Sequence, residues 1–303
     1  MVQEKSGKTF CGILHKDIPY ATYGDITVSL DIYAPAISES ARVPVLLFLH
    51  GGSWIRGDKT TIAKGYKNKL LGVFIEAGYA VVSADYRLAG YGATLREQIV
   101  DCRNMINWIC KNASLYNLDK DNIGIWGSSA GAHIAMYAAY SASETQASGV
   151  PVGTEVGKVA YIIDNFAPVN IPSLLKPHLP YIAEMAVKVF ARERYMRRRV
   201  MLEALTGYDI SDKENICRFC KEYSLDNMEI AAKVPTLILH GTGDKVVPYT
   251  HSVKMYDKLK MCGVDAEMYL YEGLDHGFLG YTDTDLDDIA CRSLMFARKH
   301  TRK

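Results

Sequence analysis

The chain has 303 residues, 49% hydrophobic and 23% charged, a composition typical of a globular protein near the upper size for one hydrophobic core. The formal charge of +1, from 35 basic and 34 acidic residues, supplies no long-range field, so we expect neither a nucleic-acid partner nor an anionic membrane surface. Seven cysteines, an odd number, predict reduced thiols rather than a disulfide framework.

The first ten residues, MVQEKSGKTF, lack the apolar run of a signal peptide. If Met1 is the native start, we expect a cytoplasmic protein; if a leader was trimmed, we expect a secreted or periplasmic one. Residues 122–143 carry no formal charge and are long enough to span a bilayer. Their glycines, serines and His133 instead favour a strand, a turn and a buried helix.

The first predicted elements follow this polar start. Alternating apolar and polar residues at 26–33 predict a half-exposed antiparallel strand, which Pro35 ends. Short apolar runs at 43–49 and 80–84 are typical of strands that are covered on both faces. Apolar residues at steps of three and four over 95–109 predict a helix with one buried stripe.

Strands and helices continue to alternate along the rest of the chain. The predicted elements are a strand at 123–126, a helix from about Ala130, strands at 159–163 and 236–239, a helix at 253–259 and a strand at 266–271. This alternation predicts a doubly wound, mostly parallel sheet with helices on both faces. At 168–230 four prolines and a helical pattern from 182 to about 205 interrupt it. We therefore expect a single domain over 1–303 with a lid or cap insertion at 168–230.

The segment IGIWGSSAGAH, residues 123–133, contains the pattern G-x-S-x-G with Ser129 at its centre. Glycines on both sides allow a sharp strand-to-helix turn that holds the serine hydroxyl out of the sheet. A serine hydroxyl becomes a nucleophile when a histidine takes its proton and a carboxylate orients that histidine. His276 and Asp244 each follow a predicted strand, and the order Ser129, Asp244, His276 is that of an α/β-hydrolase triad.

An oxyanion needs N–H donors beside this serine. The segment HGGSW, residues 50–54, follows a predicted strand and is placed to offer the backbone N–H groups of Gly52 and Ser53, while Ala130 offers a third. We assign Trp54 and Ser128 to the substrate pocket, and we expect Ser128 itself to be chemically silent.

Other polar residues have simpler interpretations. Asp164 follows a strand and is a rival for the acid of the triad, although Asp244 is favoured because its loop can reach the histidine loop. Asp275 is expected either at the surface or as a support behind the reacting residues. His133 is expected in the core, and His50 and His240 are expected to brace their loops.

Two further patterns lie in or near the predicted insertion. Cys217 and Cys220 have C-x-x-C spacing without a second pair, so no metal or redox role is predicted. Five arginines form either a solvated helix face or a rim that attracts anionic substrates. They are Arg192, Arg194, Arg197, Arg198 and Arg199.

The segments VLLFLHGGSW, VSADYRL, DNIGIWGSSAGAHIA, ILHGTGDKVVP and YEGLDHGF resemble those of α/β-hydrolase-fold serine esterases with an HGGG-type oxyanion loop. The chain looks most like the bifunctional feruloyl and acetyl xylan esterases, and it is more loosely similar to the hormone-sensitive-lipase-like esterases. The resemblance covers nearly the whole chain. It implies hydrolysis of short acyl or feruloyl esters, such as those on plant polysaccharides, without a cofactor or metal. Ser53 departs from the pattern, which has a third glycine there.

Three alternatives remain beside a carboxylesterase that acts on a small-molecule or oligosaccharide ester. An arylformamidase shares the serine turn and a similar histidine loop. A peptidase of the prolyl-oligopeptidase kind lacks support, because no propeller-like repeat precedes the catalytic half. A non-catalytic receptor on a hydrolase scaffold is disfavoured, because all three triad residues are present. The sequence is silent on oligomeric state.

Overall fold

The structure, a computed structural model, describes residues 12–36, 42–141, 159–175 and 192–302. Eight strands in these ranges form a single sheet. In chain order they are β1 (Gly12–Tyr23), β2 (Ile26–Pro35), β3 (Val43–Leu49), β4 (Ala80–Ala84), β5 (Leu118–Ser128), β6 (Val159–Asn165), β7 (Thr236–Gly241) and β8 (Ala266–Tyr271). The helices of these ranges are α1 (Tyr66–Glu76), α2 (Leu95–Asn112), α3 (Ala130–Tyr140), α4 (Ile171–Leu175), α5 (Arg192–Thr206), α6 (Lys213–Glu222), α7 (Thr250–Met261) and α8 (Asp283–His300).

The predicted doubly wound sheet is confirmed. Its strand order is β1-β2-β4-β3-β5-β6-β7-β8. Strands β1 and β2 pair antiparallel with each other, and β2 pairs antiparallel with β4. All pairs from β4 through β8 are parallel. Because the ends of parallel strands meet along one edge, the loops that follow β3, β5, β6, β7 and β8 lie side by side there.

Helices cover both faces of the sheet, as the continuous apolar runs predict. Strand β3 shows why, since its successive side chains point to opposite faces. Leu46 and Phe48 pack with residues of α1 and α8, whereas Val45, Leu47 and Leu49 pack with residues of α2, α3 and α7. Both faces of this central strand are therefore buried.

The structure differs from the sequence-based elements at three strands. Strand β2 is antiparallel as predicted but is not half-exposed, because it lies between β1 and β4 and six of its ten residues are buried. Strand β1 has no predicted counterpart, because most of its residues are exposed or half-buried at the sheet edge and carry no apolar alternation. Strand β5 begins at Leu118 rather than 123, because Leu118 and Asp119 pair with Val43 and Pro44 before a register shift. Backbone pairing extends this strand through polar residues that sequence patterns do not assign to a strand.

The predicted insertion at 168–230 is described in part. Helices α4, α5 and α6 lie within it, and the predicted helix at 182–205 overlaps α5. Residues 176–191 lie outside the described ranges. The assignment of 168–230 as a lid therefore stays a prediction. Among the described residues, no helix combines the length and the hydropathy needed to cross a bilayer.

A buried ion pair anchors the loop after β4 to helix α2. The Arg87 guanidinium lies 2.7 Å from Asp101 Oδ1, and the Arg87 backbone N–H donates to Asp101 Oδ2 at 2.9 Å. From the same helix, Gln98 Nε2 donates to the carbonyl oxygens of Arg87 and Trp54. Helix α2 thus holds the loop after β4 and the HGGSW loop in one position.

Candidate active site

The chain makes a sharp turn at Ser129, between the end of β5 and the start of α3. Ser129 has φ 53° and ψ −118°, a conformation that costs a non-glycine residue on the order of 1–3 kcal/mol. The flanking glycines are required by close packing, since a Cβ at Gly127 would lie 2.2 Å from Ala132 Cα and one at Gly131 would lie 2.2 Å from the Leu49 carbonyl oxygen. The turn is fixed because the Ser129 N–H donates to the Asn165 carbonyl at 2.8 Å.

The structure brings the three residues of the predicted triad together. Ser129 Oγ lies 3.1 Å from His276 Nε2, and His276 Nδ1 lies 2.7 Å from Asp244 Oδ2. Asp244 follows β7, and His276 begins a short 3₁₀ helix after β8. Both distances are within hydrogen-bonding range, and each ring nitrogen of His276 faces a different partner.

Asp244 is surrounded by N–H donors although its side chain is only 1% exposed. Its Oδ1 accepts from the backbone N–H groups of Val246 and Val247, both at 2.8 Å. Its Oδ2 lies within reach of His276 Nδ1 and of His240 Nε2, the latter at 3.2 Å. Burial opposes ionisation, but the hydrogen bonds from His240 and His276 and those of the backbone hold the pKa of Asp244 well below its usual value.

His240 is a brace rather than a reacting group in this geometry. It is fully buried, and its Nδ1 faces the Ser252 hydroxyl at 2.6 Å while its Nε2 donates to the Val247 carbonyl at 2.9 Å. The ring therefore links the end of β7 to the loop of Asp244 and to helix α7.

Asp275 connects the two loops that carry the histidine and the carboxylate. Its Oδ1 accepts the His276 N–H at 2.7 Å and the Lys245 N–H at 2.9 Å. These backbone hydrogen bonds hold the pKa of Asp275 below its usual value. The side chain is partly exposed and does not bond the imidazole beside it, which agrees with the surface position, one of the two that the sequence predicts.

The HGGSW loop lies beside the serine with unusual backbone geometry. Three successive residues, Gly52, Ser53 and Trp54, have positive φ values of 137°, 54° and 65°. In the part of the chain that the structure describes, the N–H groups of Gly52 and Ser53 have no hydrogen-bond acceptor. The positive φ of Ser53 explains why the related pattern has a glycine there, since this region is costly for other residues. The Ala130 N–H lies at the first position of α3, where a helix leaves its N–H groups unpaired.

The loop is held through its carbonyl groups, which leaves its N–H groups for a ligand. The Tyr86 hydroxyl donates to the His50 carbonyl at 2.8 Å, and the Ala89 N–H donates to the Trp54 carbonyl at 2.9 Å. The His50 ring stacks on Tyr86, and burial lowers the pKa of His50 to about 4. His50 therefore supports the loop as a neutral side chain.

A cavity of about 200 Å³ opens beside Ser129 and His276. Ser128 is part of its wall, and its hydroxyl is hydrogen-bonded to that of Tyr66 at 2.7 Å. Trp54 has a different place: it is 1% exposed, packs edge-on against His133, and does not line this cavity in the described part of the chain. The indole belongs to the hydrophobic core between the sheet and helices α2 and α3.

The rival acid, Asp164, does not reach the imidazole. It is fully buried at the end of β6, and its Oδ1 accepts the Ala167 N–H at 2.9 Å. Its Oδ2 has no hydrogen-bond partner among the described residues. Burial raises the pKa of Asp164 to about 7.

His133 is buried as predicted, with its Nε2 facing the Tyr223 carbonyl at 2.8 Å, and burial lowers its pKa to about 4. Cys217 and Cys220 are free thiols. Of the five arginines at 192–199, the structure describes the side chain of Arg199, which is half-buried; those of Arg192, Arg194, Arg197 and Arg198 lie outside the described part.

Sequence reasoning missed four residues of the cavity wall: Thr61, Tyr66, Lys67 and Phe166. Phe166 directly follows β6, and that position at the carboxyl end of a parallel strand was a usable signal. Tyr66 and Lys67 open helix α1 and belong to no motif. They reach the cavity through packing of α1 that no local pattern encodes.

The comparison with protein families finds a match to the BD-FAE family model over residues 30–259. A curated relative from Oryza sativa subsp. japonica, named as a probable isoprenylcysteine alpha-carbonyl methylesterase, is 30% identical over 271 residues, which are 88% of this chain and 58% of the relative. Esterase LipQ of Mycobacterium tuberculosis is 27% identical over 256 residues, 84% of this chain and 54% of LipQ. The chain spans somewhat more than half the length of these curated relatives.

Solved structures show the same fold. Butyrate-bound Est2, an esterase from Thermogutta terrifontis, has a TM-score of 0.70 to this chain at 21% identity, covering 95% of this chain and 94% of Est2. The apo form of this esterase gives a TM-score of 0.69 at 19% identity, covering 99% of this chain and 100% of the other. The architecture described above is therefore the α/β-hydrolase fold.

Gly52→Ala tests the HGGSW loop. A Cβ at Gly52, where φ is 137°, would lie 1.9 Å from the Arg56 carbonyl oxygen, so the backbone must move and its N–H groups shift. We expect kcat for p-nitrophenyl acetate to fall about 10²–10³-fold with an unchanged circular dichroism spectrum. The matched control is Gly72→Ala in α1, where a Cβ meets nothing within 4 Å, and it should retain activity. A Gly52→Ala kcat within threefold of the wild type would contradict the prediction that the N–H groups of Gly52 and Ser53 are oxyanion donors.

Asp164→Asn tests the buried carboxyl through stability. The folded protein keeps the Asp164 proton up to about pH 7, whereas an unfolded chain loses it above about pH 4. The free energy of unfolding of the wild type therefore falls as pH rises between those values. That of Asp164→Asn, which has a neutral amide at this position, does not fall for this reason. The free energy of unfolding of Asp164→Asn, relative to the wild type, should rise by about 2–3 kcal/mol from pH 5 to pH 8 in urea titrations.

The control for this titration is Asp257→Asn in α7, whose side chain is exposed. Its difference from the wild type should not change with pH. If the free energies of unfolding of the two variants, each relative to the wild type, depend equally on pH, Asp164 is already ionised in the folded protein at pH 5. That result would contradict the prediction.

Proposed function

The chain belongs to the BD-FAE family, and from this membership and its site geometry we propose that it is a carboxylic ester hydrolase that acts through an acyl-enzyme on Ser129. The observation that carries the proposal is the pair of short contacts from Ser129 Oγ to His276 Nε2 and from His276 Nδ1 to Asp244 Oδ2, at 3.1 and 2.7 Å. A buried, fully hydrogen-bonded carboxylate that lies beside a histidine facing a strained serine is most simply interpreted as the acid of a catalytic triad.

The proposed reaction has two halves. Ser129 Oγ attacks the ester carbonyl carbon while His276 Nε2 takes its proton, and the oxyanion accepts hydrogen bonds from the N–H groups of Gly52, Ser53 and Ala130. The C–O bond to the alcohol then breaks, and His276 returns the proton to the leaving alkoxide. Water repeats the sequence on the acyl-enzyme and releases the carboxylic acid. Asp244 accepts from Nδ1–H throughout and so keeps Nε2 free as the base.

Two observations support a short or slender acyl group. The cavity of about 200 Å³ is smaller than the 300 Å³ or more of sites for drug-sized ligands. The resemblance of the sequence motifs favours acetyl or feruloyl esters of the kind that decorate plant polysaccharides. The name of the rice relative instead describes a methyl ester as substrate, so methanol is a second candidate for the alcohol.

A substrate panel with the wild type and Ser129→Ala tests the proposal. It includes p-nitrophenyl acetate, p-nitrophenyl octanoate, methyl ferulate, acetylated xylan, an N-acetyl cysteine methyl ester with an S-alkyl chain, N-formylkynurenine and an aminoacyl anilide. We expect turnover of short esters by the wild type, with a kcat about 10⁴–10⁶-fold lower in Ser129→Ala, because the nucleophile is lost.

Ser141→Ala is the matched control, since Ser141 ends α3 away from the cavity, and it should retain turnover. Turnover of the formamide or the anilide without ester turnover would favour an arylformamidase or a peptidase. The absence of any turnover by a folded wild type would favour a receptor.

A further inference from the structure

One lysine lies in the described wall of the catalytic cavity. The described residues that line it include Lys67 but no aspartate, glutamate or arginine. The other wall residues are Gly51, Gly52, Thr61, Tyr66, Ser128, Ser129, Phe166, His276 and Gly277. The described wall of this cavity therefore includes one residue with a cationic ammonium group and none with a carboxylate.

Lys67 is half-buried, and its ammonium group lies near an aromatic ring. Its Nζ lies 4.8 Å from the centroid of the Tyr66 ring. Within the described residues no carboxylate forms an ion pair with Lys67, whereas Lys69 on the same helix lies 2.5 Å from Asp287. Burial, with a smaller contribution from nearby Lys64, lowers the pKa of Lys67. The described part of the protein thus leaves this cation without a compensating anion.

The start of helix α1 adds to the positive field at this point. Tyr66 and Lys67 are its first two residues, Gly65 offers no side-chain cap, and the first turn contains no acidic residue. The N-terminus of a helix carries a partial positive charge. Lys67 therefore adds a full charge to an end that most helices balance with an acidic or hydroxyl side chain.

We propose that Lys67 binds a carboxylate of the substrate, so that the enzyme prefers esters that carry a carboxylate a few bonds from the scissile carbonyl. The inference rests on the proposed function, because it assigns a substrate class to the same cavity. The carboxylate belongs either to the acyl part or to the alcohol part of the ester. In both cases an ammonium in a partly desolvated wall gives a charge-assisted hydrogen bond, which a neutral amide cannot match.

Two pairs of substrates, matched in shape, separate these cases. In the first pair, 4-acetoxybenzoate and 4-acetoxybenzamide differ in charge on the alcohol side. In the second pair, monoethyl succinate and ethyl succinamate differ in charge on the acyl side. Values of kcat/KM are measured at pH 7.5 and low salt for the wild type, Lys67→Met, Lys67→Arg and the control Lys69→Met.

We expect the wild type to prefer the carboxylate in one pair by about 10-fold, mainly through KM, and this preference to weaken with added salt. Lys67→Met should lower the ratio to about 1, whereas Lys67→Arg should keep most of the preference because it keeps the charge. Lys69→Met should behave as the wild type, since Lys69 lies outside the cavity wall.

A wild type without a carboxylate preference in either pair overturns the inference, as does a Lys67→Met variant that keeps the preference. If neutral esters are still hydrolysed in a Ser129-dependent way, the proposed function survives that result. If the wild type hydrolyses none of the four esters, while its circular dichroism shows a folded protein, the inference and the proposed function fail together.

Discussion

The site depends on one buried carboxylate, that of Asp244, whose two oxygens are met by four N–H groups. Two come from the backbone of Val246 and Val247, and two come from the imidazoles of His240 and His276. An ionised carboxylate removed from water is costly unless its lone pairs are satisfied in this way. The charge favours the His276 tautomer with Nδ1 as donor, and in the proposed mechanism Nε2 then accepts the proton of Ser129. Strands β7 and β8 are parallel neighbours, so the Asp244 and His276 loops meet at the same edge.

The remaining parts of the site are supports for that arrangement. Ser129 is held in its strained turn by the Asn165 carbonyl and by glycines that allow β5, α3 and the HGGSW loop to approach one another. Asp275 joins the histidine loop to Lys245, the residue after Asp244. Lys67 is not one of these supports, because no carboxylate among the described residues forms an ion pair with it. For that reason we propose that its charge binds the substrate rather than stabilises the fold.

Sequence patterns predicted the central strands and the approach of Ser129, Asp244 and His276, because each residue lies in the segment that follows a predicted strand and parallel strands end at one edge. They did not predict β1, whose place in the sheet comes from edge pairing with β2 rather than from its own apolar pattern. They placed Trp54 in the pocket, whereas its indole is buried in the core against His133. Tertiary packing places the remaining groups, and local patterns do not encode it. It brings His240 to Asp244 and Tyr66 to Ser128, and it sets the position of Lys67.

Reaction with paraoxon, followed by intact-mass and peptide mass spectrometry, tests the central claim most directly. Attack by Ser129 Oγ on phosphorus expels p-nitrophenolate, and its rate reports how well Asp244 and His276 activate the serine. We expect one diethylphosphoryl group per chain, located on Ser129, and labelling about 10²–10⁴-fold slower in a folded Asp244→Asn variant. Labelling of a different serine, or equal rates in the wild type and Asp244→Asn, would contradict it.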